Sequence, residues 1–138
     1  MGCQLEAFMK KLSTNNSVNI EPQVGFRTCN NILNKWGCSI CQKAAILGMS
    51  EIDVETYHNE KNSPSLTHEQ VKRLSYILNV HFSLKSMFSN PENIDGFMTM
   101  ENNNPYFNGR TPLSLIETGE LVALSELALR LNNIGRPS

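Results

Sequence analysis

The sequence predicts an all-α protein, on three observations. Apolar residues recur at three- and four-residue spacing through most of the chain, helix start and stop signals punctuate it at short intervals, and no segment alternates with the two-residue period of a half-buried strand. The 138 residues are 40% hydrophobic and 18% charged, enough to build a core without a disulfide framework.

The elements follow in order. Leu5, Phe8, Met9 and Leu12 lie at i, i+3, i+4 and i+7, the pattern of a short amphipathic helix. Residues 13–19 are polar and asparagine-rich and read as a linker. After Pro22, residues 24–35 are helical, with Val24, Phe26, Ile32 and Leu33 as the apolar face and Trp36-Gly37 as the stop. Ser39 and Gln42 form a capping box for a helix ending at Gly48, and Ser50 caps the next, over residues 51–59. Thr67 and Gln70 form a second capping box, with Leu66 and Val71 placed as a hydrophobic staple.

The helix that follows is the longest. Its apolar face is Val71, Leu74, Ile77, Leu78, Phe82 and Leu84, then Met87 and Phe88, with Asn79 as a candidate bend. Asn90-Pro91 and Thr111-Pro112 are cap-plus-first-turn pairs, the second starting a helix over 112–118 that Gly119 breaks. Between them lies a turn-rich loop at 102–109. A last helix carries Leu121, Leu124, Ala128 and Leu131 on one stripe and stops at Gly135. The expected organisation is an N-terminal helix and linker (1–21), a helix-turn-helix bundle (22–64) and a small helical domain (65–138).

Composition narrows the function. Twelve Lys and Arg against thirteen Asp and Glu give a net charge of −1, unlike a protein that coats nucleic acid through general charge. No run reaches the length of a membrane span and no secretory leader is visible, so a cytoplasmic protein without membrane contact is expected. The cysteines at 3, 29, 38 and 41 read as reduced structural thiols. Cys38 and Cys41 are spaced as a metal or redox pair, but none of His58, His68 and His81 forms the short-spaced ligand pair that zinc needs. Met1-Gly2-Cys3 resembles an acylation start, yet Glu6 occupies the position that takes Ser or Thr. There is no phosphate loop and no nucleophile with an evident base, so neither an enzyme nor a cofactor is expected.

Two constellations remain. Ala44, Gly48 and Val54, with Leu47 and Met49, have the spacing of a helix-turn-helix elbow, in which a small residue and a glycine let two short helices meet steeply. The second of these helices would enter the major groove. Its candidate DNA contacts are Lys43, Ser50, Thr56, His58 and Lys61, with Lys72 and Arg73 adding charge from the side. Against them stand Glu51, Asp53, Glu55 and Glu60, with no Lys or Arg from 50 to 60. The other constellation, residues 104–112, combines a turn, two aromatics, a glycine, an arginine and a capped helix start. It reads as a rigid loop presenting Phe107 and Arg110, or as a loop whose aromatics plug the core while Arg110 satisfies carbonyls.

From about Trp36 onward the chain resembles the MbcA/ParS/Xre antitoxin family. The resemblance rests on Trp36-Gly37, Ala44 and residues 47–50, on residues 66–70 and 80–88, on residues 90–93, and most specifically on Asn104-Pro-x-Phe-x-Gly-Arg-Thr-Pro-Leu at 104–113. It implies a non-enzymatic type II antitoxin whose C-terminal domain covers the active site of a RES-domain toxin that consumes NAD. It also implies a homodimer within a larger toxin–antitoxin complex, with operator DNA as a second partner. Asn104, Pro105, Phe107, Gly109, Arg110, Arg130 and Arg136 are the toxin-binding candidates on this reading. Where family members often carry an Arg-Trp pair, this chain has Tyr57-His58. The competing reading is a stand-alone helix-turn-helix regulator without a toxin.

Overall fold

A computed structural model describes residues 21–59 and 65–134. They form seven α-helices and one 3-10 turn, with no strand among the described residues. The helices are α1 (Pro22–Lys35), α2 (Ile40–Leu47), α3 (Glu51–Asn59), α4 (His68–Met87), α5 (Pro91–Gly96), α6 (Pro112–Ile116) and α7 (Leu121–Ile134), the 3-10 turn (Phe97–Thr99) following α5 directly. The helix expected at residues 5–12 lies outside the described residues.

The start signals act as the sequence implies. Ser39 and Thr67 each accept a backbone N–H three residues on, while Gln42 and Gln70 reach back to the cap residue's N–H. Asn90 Oδ1 accepts from the Glu92 N–H, and Thr111 Oγ1 from the Ser114 N–H. Pro22 itself opens α1, two residues ahead of the expected start, because the proline ring fits a first turn whose N–H needs no partner.

One core runs through both expected domains. Phe26 and Leu33 from α1, Trp36 just past its end, Ile46 and Leu47 from α2, and Val54 from α3 join Leu74, Ile77, Leu78 and Leu84 of α4. Leu124, Leu127, Ala128 and Leu131 of α7 complete it. The pairing of α4 with α7 is the most extensive, and α4 also packs on α1 and α2. The long helix is thus buried along two sides. Val80 and His81 go inside, whereas Phe82 is half exposed, contrary to the expected stripe. Val24 likewise faces out, as α1 needs only one line of contact with α3 and α4.

The sequence reading misplaces Arg73. As a flanking cation it would be exposed, but it is 6% exposed. Its Nη1 donates to the carbonyls of Ala45 and Ile46, at 3.3 and 3.2 Å, and its Nε to Glu69 at 3.3 Å. Both carbonyls belong to the last turn of α2: that of Ala45 also accepts from the Gly48 N–H at 3.3 Å, while that of Ile46 is one of the carbonyls a helix end leaves over. Next to it Gly48 is left-handed (φ 69°), and a Cβ there would lie 2.6 Å from Arg73 Nε. Gln70 Nε2 donates to the Gly48 carbonyl at 3.0 Å. Two side chains of α4 therefore bind the end of α2.

Burial holds the His81 imidazole down to about pH 4, helped by Lys85 and Lys35 and opposed by Asp95. The folded chain keeps this ring neutral where the unfolded chain protonates it. Stability should be level above about pH 6.5, fall as pH drops towards 4, and level again below; urea midpoints of wild type and His81→Phe across pH 4–7 check this, the variant losing that part of the slope. Arg73→Ala should cost about 1–3 kcal/mol by leaving the Ile46 carbonyl without its donor, and Gly48→Ala about 1–2 kcal/mol through its backbone conformation alone. Urea unfolding followed by circular dichroism measures both.

Candidate functional site

Two surfaces carry the sequence-predicted residues. The first is built by α2 and α3. The Gly48–Ser50 turn joins them, and Ala44 and Val54 are buried where they meet. Ser50 Oγ accepts from the Asp53 N–H, so this hydroxyl is engaged in starting α3. Lys43 and Thr56 are half-buried. His58 is exposed, with Nδ1 3.1 Å from Asn30 Nδ2. Lys61 lies outside the described residues. The outward residues of α3 are Glu51, Ile52 and Glu55, and Ile52 is 75% exposed. With Arg73 buried at the elbow, the side of this surface loses one of the cations that would have met phosphate.

The second surface is the 102–111 loop with α6 and α7. The loop is closed on itself, since the Asn102 N–H donates to the Arg110 carbonyl and the Gly109 N–H to the Asn102 carbonyl, at 3.1 and 2.8 Å. Asn104 organises the turn within it. Its carbonyl accepts from the Phe107 and Asn108 N–H groups, and its Oδ1 from the Tyr106 N–H. Asn108 (φ 52°) and Gly109 (φ 82°) take left-handed conformations in succession, which asparagine and glycine tolerate best. Pro105 is exposed at the tip.

Phe107 is fully buried. It packs edge-on to Phe97 at 6.1 Å and to Tyr106 at 5.0 Å, and so anchors the loop to the core. This corrects its assignment as a direct partner contact: the residue presents no surface. Arg110 is exposed, yet Nε donates to the Phe107 carbonyl at 2.9 Å and Nη2 to the Tyr106 carbonyl at 3.3 Å. Both readings of Arg110 thus apply together, as it braces the loop and stays open to solvent.

The surface centres on Tyr106, which the sequence reading left out of its candidate set. The Arg130 guanidinium lies 5.0 Å from the centre of its ring. Two arginines twenty positions apart thereby engage one tyrosine, Arg130 at its ring and Arg110 at its carbonyl. The Tyr106 phenol is held above its ordinary range by burial first and by Glu126 second, with Arg130 and Arg110 pulling the other way. Beside it runs an open cleft of about 290 Å³, lined by Tyr106, Arg110, Ser114, Leu115, Ala123 and Glu126. On the outer line of α7, Val122 and Leu129 stand seven residues apart and are 65% and 59% exposed. Arg136 lies outside the described residues. Only the periodicity of α7, which turns Arg130 back towards the loop, could have signalled the Tyr106–Arg130 pair.

Among the described residues no group of three or more His, Cys, Asp or Glu is placed to hold a metal. Cys29 is buried and donates to the Leu74 carbonyl at 3.4 Å, and burial raises its thiol far above the usual range. Burial pushes Cys38 up to about 11, so it is no ready thiolate. No described helix is long and apolar enough to cross a membrane. No family model matches the chain, and no curated protein matches it significantly.

DNA affinity of the full chain should be weak and fall steeply with salt. Glu51→Gln with Glu55→Gln should tighten non-specific binding about three- to tenfold at low salt, measured by fluorescence anisotropy on a duplex. Nanomolar wild-type binding to an operator in physiological salt would contradict the charge argument.

Proposed function

We propose that this chain is a cytoplasmic, non-enzymatic antitoxin that binds a RES-domain toxin and covers its NAD-consuming site. The reading rests on the resemblance of residues 104–113 to the MbcA/ParS/Xre antitoxins. The observation that supports it best is the Tyr106 platform. A self-braced loop presents an aromatic ring under the Arg130 guanidinium, with Arg110 on the loop's own carbonyls, and aromatic and arginine side chains on a pre-organised surface are what binding hot spots use. A NAD site must accept a pyrophosphate and so offers polar or cationic donors around a concave slot. A protein can close such a site by covering its mouth, for which a rigid rim suffices.

On this proposal residues 22–64 form the helix-turn-helix unit and residues 65–138 the toxin-binding unit, in a homodimer within the larger complex. Operon repression is the secondary activity and draws its affinity from dimer geometry or from the toxin-bound assembly, because α3 itself supplies acids. The acidic α3 weighs against the stand-alone regulator, whose whole task would be DNA.

Co-expression with the adjacent toxin gene tests the proposal, with growth and cellular NAD as readouts. Arg130→Ala is the cleaner probe, because its interaction in the structure is with the Tyr106 ring rather than with loop carbonyls. It should weaken toxin binding about tenfold and leave the thermal midpoint within a few degrees. Arg110→Ala should lower both. Deletion of residues 132–138 should preserve folding and relieve inhibition; full protection by the truncated chain would move the block to the 104–113 loop or to the dimer. Undiminished protection by Arg110→Ala, Arg130→Ala and the deletion combined would overturn the proposal.

A further inference from the structure

Between α1, α2 and α3 lies an open groove of about 560 Å³, on the opposite functional surface from the Tyr106 platform. Its lining is unusual for a gap between core helices. Ile40 and Val54 give it an apolar part. Around them stand Lys43 from α2, Glu55 and His58 from α3, and Asn30 from α1. One cation and one anion thus come from two different helices, and among the described residues they form no ion pair with each other.

Asn30 is the informative residue. It is 3% exposed, and its side chain is only half satisfied. Nδ2 donates to His58 Nδ1 at 3.1 Å, which places the imidazole hydrogen on Nε2. Oδ1 is buried and receives no donor. A buried amide oxygen without a donor is destabilising, and an aliphatic residue of similar size would pack there without that cost. The amide nitrogen ties α1 to α3 through the exposed His58 ring, but the amide oxygen serves no contact within the fold.

We propose that this groove binds a small zwitterion, a free α-amino acid with a short side chain. Its carboxylate pairs with Lys43 and its ammonium with Glu55, while Ile40 and Val54 receive the side chain. The ammonium has three hydrogens, and one of them supplies the donor that Asn30 Oδ1 lacks. The oxygen reaches the ligand when the exposed His58 ring moves aside and the amide turns about its last bond into the space the ring leaves. A simple anion would leave Glu55 and Asn30 Oδ1 unanswered, and a simple cation would leave Lys43 so. The opposed charges therefore select for a molecule carrying both. This site is independent of the toxin-binding proposal and stands or falls without it.

The test is a titration of the full chain followed by backbone amide NMR. L-alanine, L-valine and L-asparagine are the probes, with isobutylamine and isovalerate as controls that each lack one charge of valine. At least one amino acid should give saturable shifts confined to α1, α2 and α3, with a dissociation constant of roughly 1 mM. Each control should bind at least tenfold more weakly. Lys43→Met and Glu55→Gln, which lie outside the core, should each weaken binding about tenfold with an unchanged circular dichroism spectrum. Asn30→Leu should abolish binding and raise the urea midpoint. No saturable shift up to about 50 mM of any amino acid would overturn the proposal. So would equal binding of valine and isobutylamine, or unchanged binding in Lys43→Met and Glu55→Gln.

Discussion

The arrangement depends on one buried arginine meeting one glycine. Arg73 closes the C-terminal turn of α2 by donating to the Ala45 and Ile46 carbonyls, and Gly48 leaves the space its guanidinium occupies. A buried guanidinium is tolerable only when its donors are used, and here the partners are two carbonyls at a helix end, that of Ile46 otherwise left over, with Glu69 as counter-charge. Because Arg73 sits on the long helix, closing α2 also fixes the elbow against α4. Gln70 adds to this by serving the Thr67 cap with Oε1 and the Gly48 carbonyl with Nε2. The C-terminal half leans on α2 as well, with Gln42 in its first turn donating to Glu117 beyond α6 at 2.9 Å. The two expected domains are consequently one packed body around α4, and a change at the elbow reaches both functional surfaces.

The two surfaces are built on different physics. The 102–111 loop owes its shape to its own backbone hydrogen bonds, to Phe107 in the core and to Arg110 across its carbonyls. Little ordering entropy remains to be lost when a partner arrives, which favours binding through a small number of side chains. The α3 surface is ordered by packing on α1 and α2 and is acidic outward. It carries the wrong charge for phosphate and an exposed isoleucine among its acids.

Most of the fold was legible because its signals are local. Capping boxes, proline first turns and terminal glycines act over three or four residues, and both capping boxes and the Asn90-Pro91 and Thr111-Pro112 starts work as read, whereas Pro22 opens its helix instead of preceding it. The α7 stripe was legible too, as that helix buries a single face. The α4 face was less so. A helix buried on two sides has no single stripe, and its departures, Phe82 outward and His81 inward, come from neighbours far away in sequence. Arg73 was misread for the same reason: a long cation looks like surface until the carbonyls that hold it are known. The 104–113 block was visible as a rigid loop, but the division of labour inside it was not. That Phe107 anchors while Tyr106 presents, and that Arg130 joins it, depends on how α7 returns past the loop.

The central claim is that the chain's partner is an NAD-consuming protein held at its active site. Isolating the chain with its native partner from the source cells, dissociating the complex and assaying NAD loss before and after tests this directly. The account predicts a co-purifying RES-domain protein that is silent in the complex, consumes NAD once released and is silenced again when the chain is added back. A partner that leaves NAD untouched after release, or DNA as the sole stoichiometric companion, would contradict it.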